Sequence, residues 1–273
     1  MNEITVLMSI YENDNPNYFI EAVQSNFEQS FRPKELVLVI DGRIPQQLEQ
    51  AIETVKSLYK KQIRIIRLKR NSGLGIALQE GLKHVQTNLV ARADADDISD
   101  HKRFENQVVE FTKNPRLIIV GGLVKEFVGN VNNITSARKL PNTDEKIRRF
   151  AKFRSPFNHP TVMFKKNAVL NVGNYQEFKS FEDYHLWMRL LKSDGLVKNI
   201  NNAIVFMRTD TGMYSRRGGI SYCLRNLKLR WYFMEIGSIS FIDMLFVDTI
   251  IIVSALIPTI LRVKLYKMFL RKQ

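Results

Sequence analysis

Apolar residues in the first hundred positions come in short, nearly unbroken runs separated by longer stretches of mixed polarity. The runs are ITVLMSIY at 4–11, ELVLVID at 35–41, IRIIRL at 63–68 and a short segment at 89–94. Each is rich in Val, Ile and Leu and lacks strict apolar–polar alternation, which predicts strands covered on both faces. Between them, residues 17–30, 45–59 and 73–85 carry helical periodicity, the second opening with a proline in its first turn. A strand about every 30 residues with a helix between is the spacing of a right-handed parallel βαβ sheet. The fold class expected is α/β with a mostly parallel sheet.

Beyond residue 100 the pattern loosens. Helices are predicted at 102–112, 143–153 and 182–192, and extended chain at 117–128 and 196–207. No internal repeat, low-complexity tract or Ser/Gly linker divides this stretch. The expected organisation is one domain over 1–235, in halves at 1–100 and 101–235, followed by a helical tail at 236–273.

Composition changes the picture in two places. With 45% hydrophobic and 25% charged residues the chain is globular, so wholesale disorder is excluded. One cysteine, Cys223, excludes an internal disulfide framework and a four-cysteine zinc site. No basic region followed by an apolar run and cleavage site opens the chain, so no secretory signal is visible. Net charge is +14, and residues 208–273 hold 11 Lys/Arg against 4 Asp/Glu. Such a field favours anionic partners: nucleic acid, phosphate-rich ligands or an acidic membrane face. The uncharged run TIIIVSALIPTIL at 249–261 falls short of the roughly 20 residues needed to span a bilayer. After it, Lys264, Lys267 and Arg271 share one helical stripe, and Leu261, Leu265, Met268 and Phe269 another. This predicts a helix lying on an anionic membrane surface, with a core helix or a spanning helix as the alternatives.

The candidate chemistry sits where the predicted strands end. Asp94-Ala95-Asp96-Asp97 follows the fourth strand. Carboxylates this dense repel one another and call for a cation or for raised pKa values, and a hard divalent ion with a diphosphate suits oxygen ligands. Asp94 and Asp96 can face one side of an extended segment. The alternative is a helix cap made by Asp97 or Ser99. Asp41-Gly42 ends the second strand, where the aspartate can accept from a base or ribose or merely close a turn. Ser9 and Tyr11 end the first strand, the tyrosine offering a stacking face. Arg70-Asn71-Ser72-Gly73 opens a helix after the third strand and suits an anionic ligand. No dinucleotide fingerprint or P-loop is present. Glu182-Asp183 begins a helix, where the pair serves either as a general base or as complement to the helix dipole. Trp187 lies one turn on, suited to a sugar pocket or to the core. His159-Pro160 precedes an apolar run, and Arg216-Arg217-Gly218-Gly219 is a basic loop. His84, His101 and His185 lack metal-ligand spacing.

Seven segments in order, VLMSIY (6–11), ELVLVIDG (35–42), RNSGLGIALQEGL (70–82), ARADADDIS (91–99), HPTVMF (159–164), FEDYHLWMRL (181–190) and YSRRGGISY (214–222), resemble family 2 glycosyltransferases of GT-A fold. Among these the chain is most similar to bacterial capsule, exopolysaccharide and O-antigen enzymes, some of which add galactose to lipid-diphosphate-linked N-acetylglucosamine. It departs from the commonest pattern in carrying Ile40 where many members have an acidic residue before Asp41.

The resemblance implies that Ser9, Tyr11 and Asp41 hold the nucleoside, with Asp41 toward the base and Arg70 nearby. Asp94 lies near ribose and metal, and Asp96 is the main protein ligand of Mn²⁺ or Mg²⁺. Asp183, paired with Glu182, is the base that deprotonates the acceptor. His159 and Trp187 line the acceptor pocket, and Arg216 and Arg217 close on the leaving diphosphate. The implied reaction is inverting hexosyl transfer, galactose favoured, from a UDP-sugar to a polyprenyl-diphosphate-linked saccharide. It takes place at the cytoplasmic side of a bacterial membrane, with no nucleic-acid partner. The competing readings are a sugar nucleotidyltransferase, which releases pyrophosphate, and a non-catalytic basic module binding membrane or nucleic acid.

Overall fold

The structure, a computed structural model, describes residues 3–209 and 219–256. Four parallel strands open it: β1 (Ile4–Ile10), β2 (Glu35–Ile40), β3 (Ile63–Arg67) and β4 (Leu89–Arg92). Strands β1, β2 and β4 are buried along nearly all their length, which is why their sequences run apolar without alternation. The helices between them are α1 (Pro16–Phe27), α2 (Gln46–Tyr59) and α3 (Leu74–His84). Asn15 caps α1 by accepting from the backbone N–H groups of Asn17 and Tyr18, and Pro16 fills the first helical turn.

The remaining elements extend the same sheet. They are β5 (Ile98–Ser99), α4 (Arg103–Lys113), β6 (Leu117–Phe127), β7 (Ile134–Arg138), α5 (Asp144–Ala151), β8 (Met163–Lys165), α6 (Lys166–Asn171), α7 (Glu182–Leu190), β9 (Leu196–Arg208), α8 (Ile220–Glu235) and α9 (Phe241–Leu256). The strand order is β3-β2-β1-β4-β8-β6-β9-β5, with β7 paired to β6. The sheet is parallel across β3-β2-β1-β4 and between β6 and β9, while β8, β7 and β5 pair antiparallel. From β1 the chain winds outward to β3 and then returns to place β4 on the other side of β1. That reversal opens a crevice past the strand ends, where ligands bind in open α/β sheets.

The core has two faces. Beneath one lie α1, α2 and α4, represented by Phe19, Val23, Ile52 and Phe104. Against the other pack α3 and α7, represented by Leu78, Leu82, Leu186 and Trp187. A third cluster joins α7 to α8 and α9 through Tyr184, Met188, Leu229, Phe233 and Met244.

The predicted tail begins as α9, which packs against α8 of the domain rather than standing detached. Among the described residues no helix is long and apolar enough to cross a membrane. Yet α9 turns Phe241, Ile242, Leu245, Phe246, Ile250 and Val253 outward, each about half exposed or more. The stripe predicted at 261–271 lies outside the described residues.

Candidate functional site

β4 stops at Arg92, and the next residues leave the sheet at the crevice. The turn brings in three carboxylates: oxygens of Asp94, Asp96 and Asp97 all lie within 4.8 Å of one another. Asp96 is exposed, Asp94 half-buried and Asp97 buried. Loss of hydration in the crevice, then repulsion from Asp94, pushes Asp96 up to about 6. Burial, then Asp94 and Asp96, holds Asp97 well above the usual carboxylate range. The alternative of a helix cap is not met, because β5 intervenes and α4 begins only at Arg103 without a side-chain cap.

Cations brace this cluster from below. Arg92, 2% exposed, forms an ion pair with Asp94 Oδ1. Arg103, equally buried, donates to the Arg92 carbonyl at 2.6 Å and to Ser99 Oγ at 3.0 Å. Asp97 Oδ1 accepts from the Arg208 backbone N–H at 2.9 Å, whereas Oδ2 is buried and finds no donor among the described residues. A buried carboxylate oxygen without a donor, beside two further carboxylates, fits a hard divalent cation with oxygen ligands, the chemistry of Mg²⁺ or Mn²⁺. A zinc site of nitrogen and sulfur ligands does not fit this donor set.

Asp14 was not singled out from the sequence. It lies on the turn after β1, where its carboxylate accepts from Tyr11 N–H at 2.8 Å and its own N–H donates to the Tyr11 carbonyl at 3.2 Å. Burial pushes it up to about 7, with repulsion from Asp96 and Asp94 adding to the rise. The turn thus faces the carboxylate cluster and holds Tyr11, 39% exposed, at the rim. Ser9, half-buried, precedes it on β1.

Asp41 is placed differently from the base-facing role expected of it. It is 3% exposed, and its oxygens accept from the N–H groups of Ser72 at 2.7 Å and Gly73 at 2.8 Å. The carboxylate ties the loop after β3 to the end of β2. Gly42 makes that approach possible, since a Cβ there would sit 2.5 Å from the Asn71 nitrogen and its φ is +91°. Arg70, on the same loop, is exposed.

Across the crevice, Glu182 and Asp183 open α7. Gly75 lets α3 approach this helix end closely: a Cβ there would lie 2.9 Å from the Gln176 carbonyl oxygen and 3.1 Å from Glu182 Cβ. Burial, then the adjoining Asp183, pushes Glu182 up to about 7, while Arg92 pulls the other way and Asp94 adds to the rise. Arg92 and Asp94 therefore lie within electrostatic reach of the pair. His159 Nε2 shares a hydrogen bond with Tyr175 Oη at 3.1 Å. Burial, then Arg92, keeps His159 well below its ordinary value and so neutral.

Trp187 is corrected. Its indole is 0% exposed and meets Phe157 and His159 edge to face at 5.6 and 5.8 Å, leaving no face for a sugar. It backs His159 from within the core. Arg216 and Arg217 lie outside the described residues.

Comparison with known proteins shows the family and the fold. Residues 5–178 match the family described as "Glycosyl transferase family 2". An uncharacterized glycosyltransferase of Haemophilus influenzae is 37% identical over 270 residues, covering 99% of this chain and 100% of that protein. The UDP-Gal:alpha-D-GlcNAc-diphosphoundecaprenol beta-1,3-galactosyltransferase of Escherichia coli is 35% identical over 270 residues, covering 99% of this chain and 97% of that one. Among solved structures, S. aureus TarS 1-349 in complex with UDP-GlcNAc superposes with a TM-score of 0.62 at 18% identity, over 83% of this chain and 65% of that chain.

Proposed function

Because the chain belongs to glycosyl transferase family 2, we propose that it moves a hexose, galactose favoured, from a UDP-sugar to a saccharide carried on a polyprenyl diphosphate, in the synthesis of a bacterial surface polysaccharide. The observation that carries this reading is the pair of acidic groups facing one crevice: Asp94, Asp96 and Asp97 on the β4 side, Glu182 and Asp183 on the α7 side.

In the proposed mechanism the nucleoside lies along the β1 and β2 ends, against Tyr11 and Ser9, beside the loop that Asp41 anchors. Asp96 and Asp94 would hold Mn²⁺ or Mg²⁺, beside the donorless Oδ2 of Asp97. When bound, the ion offsets the charge that develops on the departing diphosphate. Burial and the adjoining Asp183 push Glu182 up to about 7, so Glu182 holds its proton more readily than an ordinary carboxyl, and the base role is assigned to Asp183. Asp183 takes the proton of the acceptor hydroxyl as that oxygen bonds to the anomeric carbon. The bond from that carbon to the diphosphate oxygen breaks with its electron pair going to UDP, and the configuration inverts. Neutral His159, fixed by Tyr175 and Trp187, borders the acceptor side. Arg216 and Arg217 are assigned to the leaving diphosphate.

For an acceptor of this kind, the proposed site of reaction is the cytoplasmic membrane face. The outward apolar residues of α9 and the net charge of +14 suit docking on an anionic bilayer surface, without spanning it. The test is incubation with a panel of UDP-sugars, Mn²⁺ and polyprenyl-diphosphate-linked N-acetylglucosamine, with products identified by mass. Transfer from UDP-galactose with release of UDP supports the reading. Release of pyrophosphate, or no transfer from any UDP-sugar by folded protein, overturns it.

A further inference from the structure

We propose that Arg208 is a positioning residue for the metal-binding carboxylates, holding their loop from the β9 side. The inference rests on the cation reading given above. β5 pairs antiparallel with β9, Ile98 opposite Phe206 and Ser99 opposite Val205. Two residues further along β9 and two back along the other chain, Arg208 falls opposite Asp96. From there it grips the loop twice by its own atoms: its backbone N–H donates to Asp97 Oδ1 at 2.9 Å, and its Nε donates to the Asp96 carbonyl at 3.2 Å. The rest of the guanidinium is fastened to other parts of the molecule. Nη1 donates to the Gly129 carbonyl at 3.0 Å, and Nη2 pairs with Glu21 of α1 at 2.6 Å.

Aromatic rings set the plane. The guanidinium carbon lies 3.7 Å from the Tyr18 ring centroid and 4.7 Å from that of Phe127, and the side chain is only 10% exposed. A planar group stacked this way, with three nitrogens each spent on a different acceptor, has little freedom left. The peptide carrying Asp96 thus inherits its position from α1, β6 and β9 together. Without that clamp, Asp96 is exposed on a turn outside any strand and must be ordered by the cation itself, which weakens binding. Lysine cannot replace the clamp, since one ammonium on a flexible stem does not reach three divergent acceptors in fixed directions.

The experiment is Mn²⁺ titration of the purified full chain, free Mn²⁺ read by electron paramagnetic resonance, with no donor or acceptor present. Wild type, Asp96→Asn, Arg208→Met, Arg208→Lys and Glu21→Gln are compared, alongside KM for Mn²⁺, kcat and melting temperature. Removing a group that orients a metal ligand typically weakens metal affinity 10–100-fold. Arg208→Met is expected in that range, Arg208→Lys between it and wild type, and Glu21→Gln smaller but in the same direction. KM for Mn²⁺ rises more than kcat falls. If Asp96→Asn binds Mn²⁺ as wild type does, the cation reading itself fails. If Asp96→Asn loses Mn²⁺ while Arg208→Met stays within about twofold of wild type, the cation site stands and the Arg208 inference is overturned, whatever happens to the melting temperature. Should Arg208→Met not fold, Arg208→Lys decides: wild-type Mn²⁺ affinity in it overturns the inference.

Discussion

Replacing Asp41 by asparagine separates two roles for the same side chain. If Asp41 reads the base, the change alters nucleotide preference and leaves stability nearly untouched. The structure points to the opposite result. Both carboxylate oxygens accept from backbone N–H groups, Ser72 at 2.7 Å and Gly73 at 2.8 Å, at a site 3% exposed. Hydrogen bonds to a charged group contribute about 1.5–3 kcal/mol each. Asparagine keeps one acceptor oxygen, so one bond survives in weaker, uncharged form. Its NH₂ then opposes the second N–H, which is left buried without an acceptor. The combined loss is about 2–4 kcal/mol. With a urea m-value of about 3 kcal/mol/M, the unfolding midpoint should fall by roughly 1 M at unchanged m. Urea unfolding followed by circular dichroism measures the midpoint, and calorimetry measures UDP against CDP binding. Stability within about 0.5 kcal/mol of wild type, combined with altered discrimination between UDP and CDP, refutes the anchoring argument.

Further outcomes follow from the same geometry. Asp96→Asn and Asp183→Asn should each lower the transfer rate by at least about 10²-fold with folding intact by circular dichroism; wild-type rates in both contradict the assigned roles. Glu182, with a folded-state value of about 7 against 4.5, binds more proton folded than unfolded in that window, so its contribution to stability falls as pH rises from about 4.5 to 7. Glu182→Gln should flatten this part of the stability profile in thermal melts across pH, and an unchanged slope excludes Glu182 as its source. Ile242→Glu with Phe246→Glu, at positions 78% and 60% exposed, should reduce co-sedimentation with anionic vesicles while leaving the melting temperature within a few degrees. Undiminished co-sedimentation removes α9 from the docking surface. Truncation before α9 is the poorer test, because it uncovers Leu229 and Phe233, both 0% exposed.

The parallel half of the sheet was legible because β1, β2 and β4 are buried on both faces, so burial wrote itself as continuous apolar runs. Asp94 and Asp96 were legible because they follow such a run directly. Asp97 joins them through the turn geometry, which alternation along an extended chain does not capture. Asp14 lay hidden in a polar loop: its nearness to the cluster comes from a turn closed by its own carboxylate on Tyr11 N–H. Arg208 meets Asp97 across 111 positions of sequence, a pairing that only the β5–β9 register creates. Trp187 stood open between pocket and core because α7 is buried from Tyr184 to Leu190, including His185 and Arg189, so its polar residues imitate an exposed face that does not exist. Arg189 is accommodated there by the carbonyls of Val172 and Asn174.

One helix bears both the assigned base and the seat of the C-terminal hairpin. α7 starts with Glu182 and Asp183, and its Tyr184 and Met188 pack against Phe233, Leu229 and Met244 of α8 and α9, with Tyr184 Oη donating to the Ala151 carbonyl at 2.5 Å. The hairpin is therefore a rigid bracket rather than a tether. If its outer face rests on lipid, the height and tilt of the proton acceptor above the bilayer are set by packed side chains, and a saccharide on a membrane-embedded carrier must arrive from one direction, at one reach. Attaching the domain to the surface by some other point, through a flexible anchor, would restore proximity without restoring that aim.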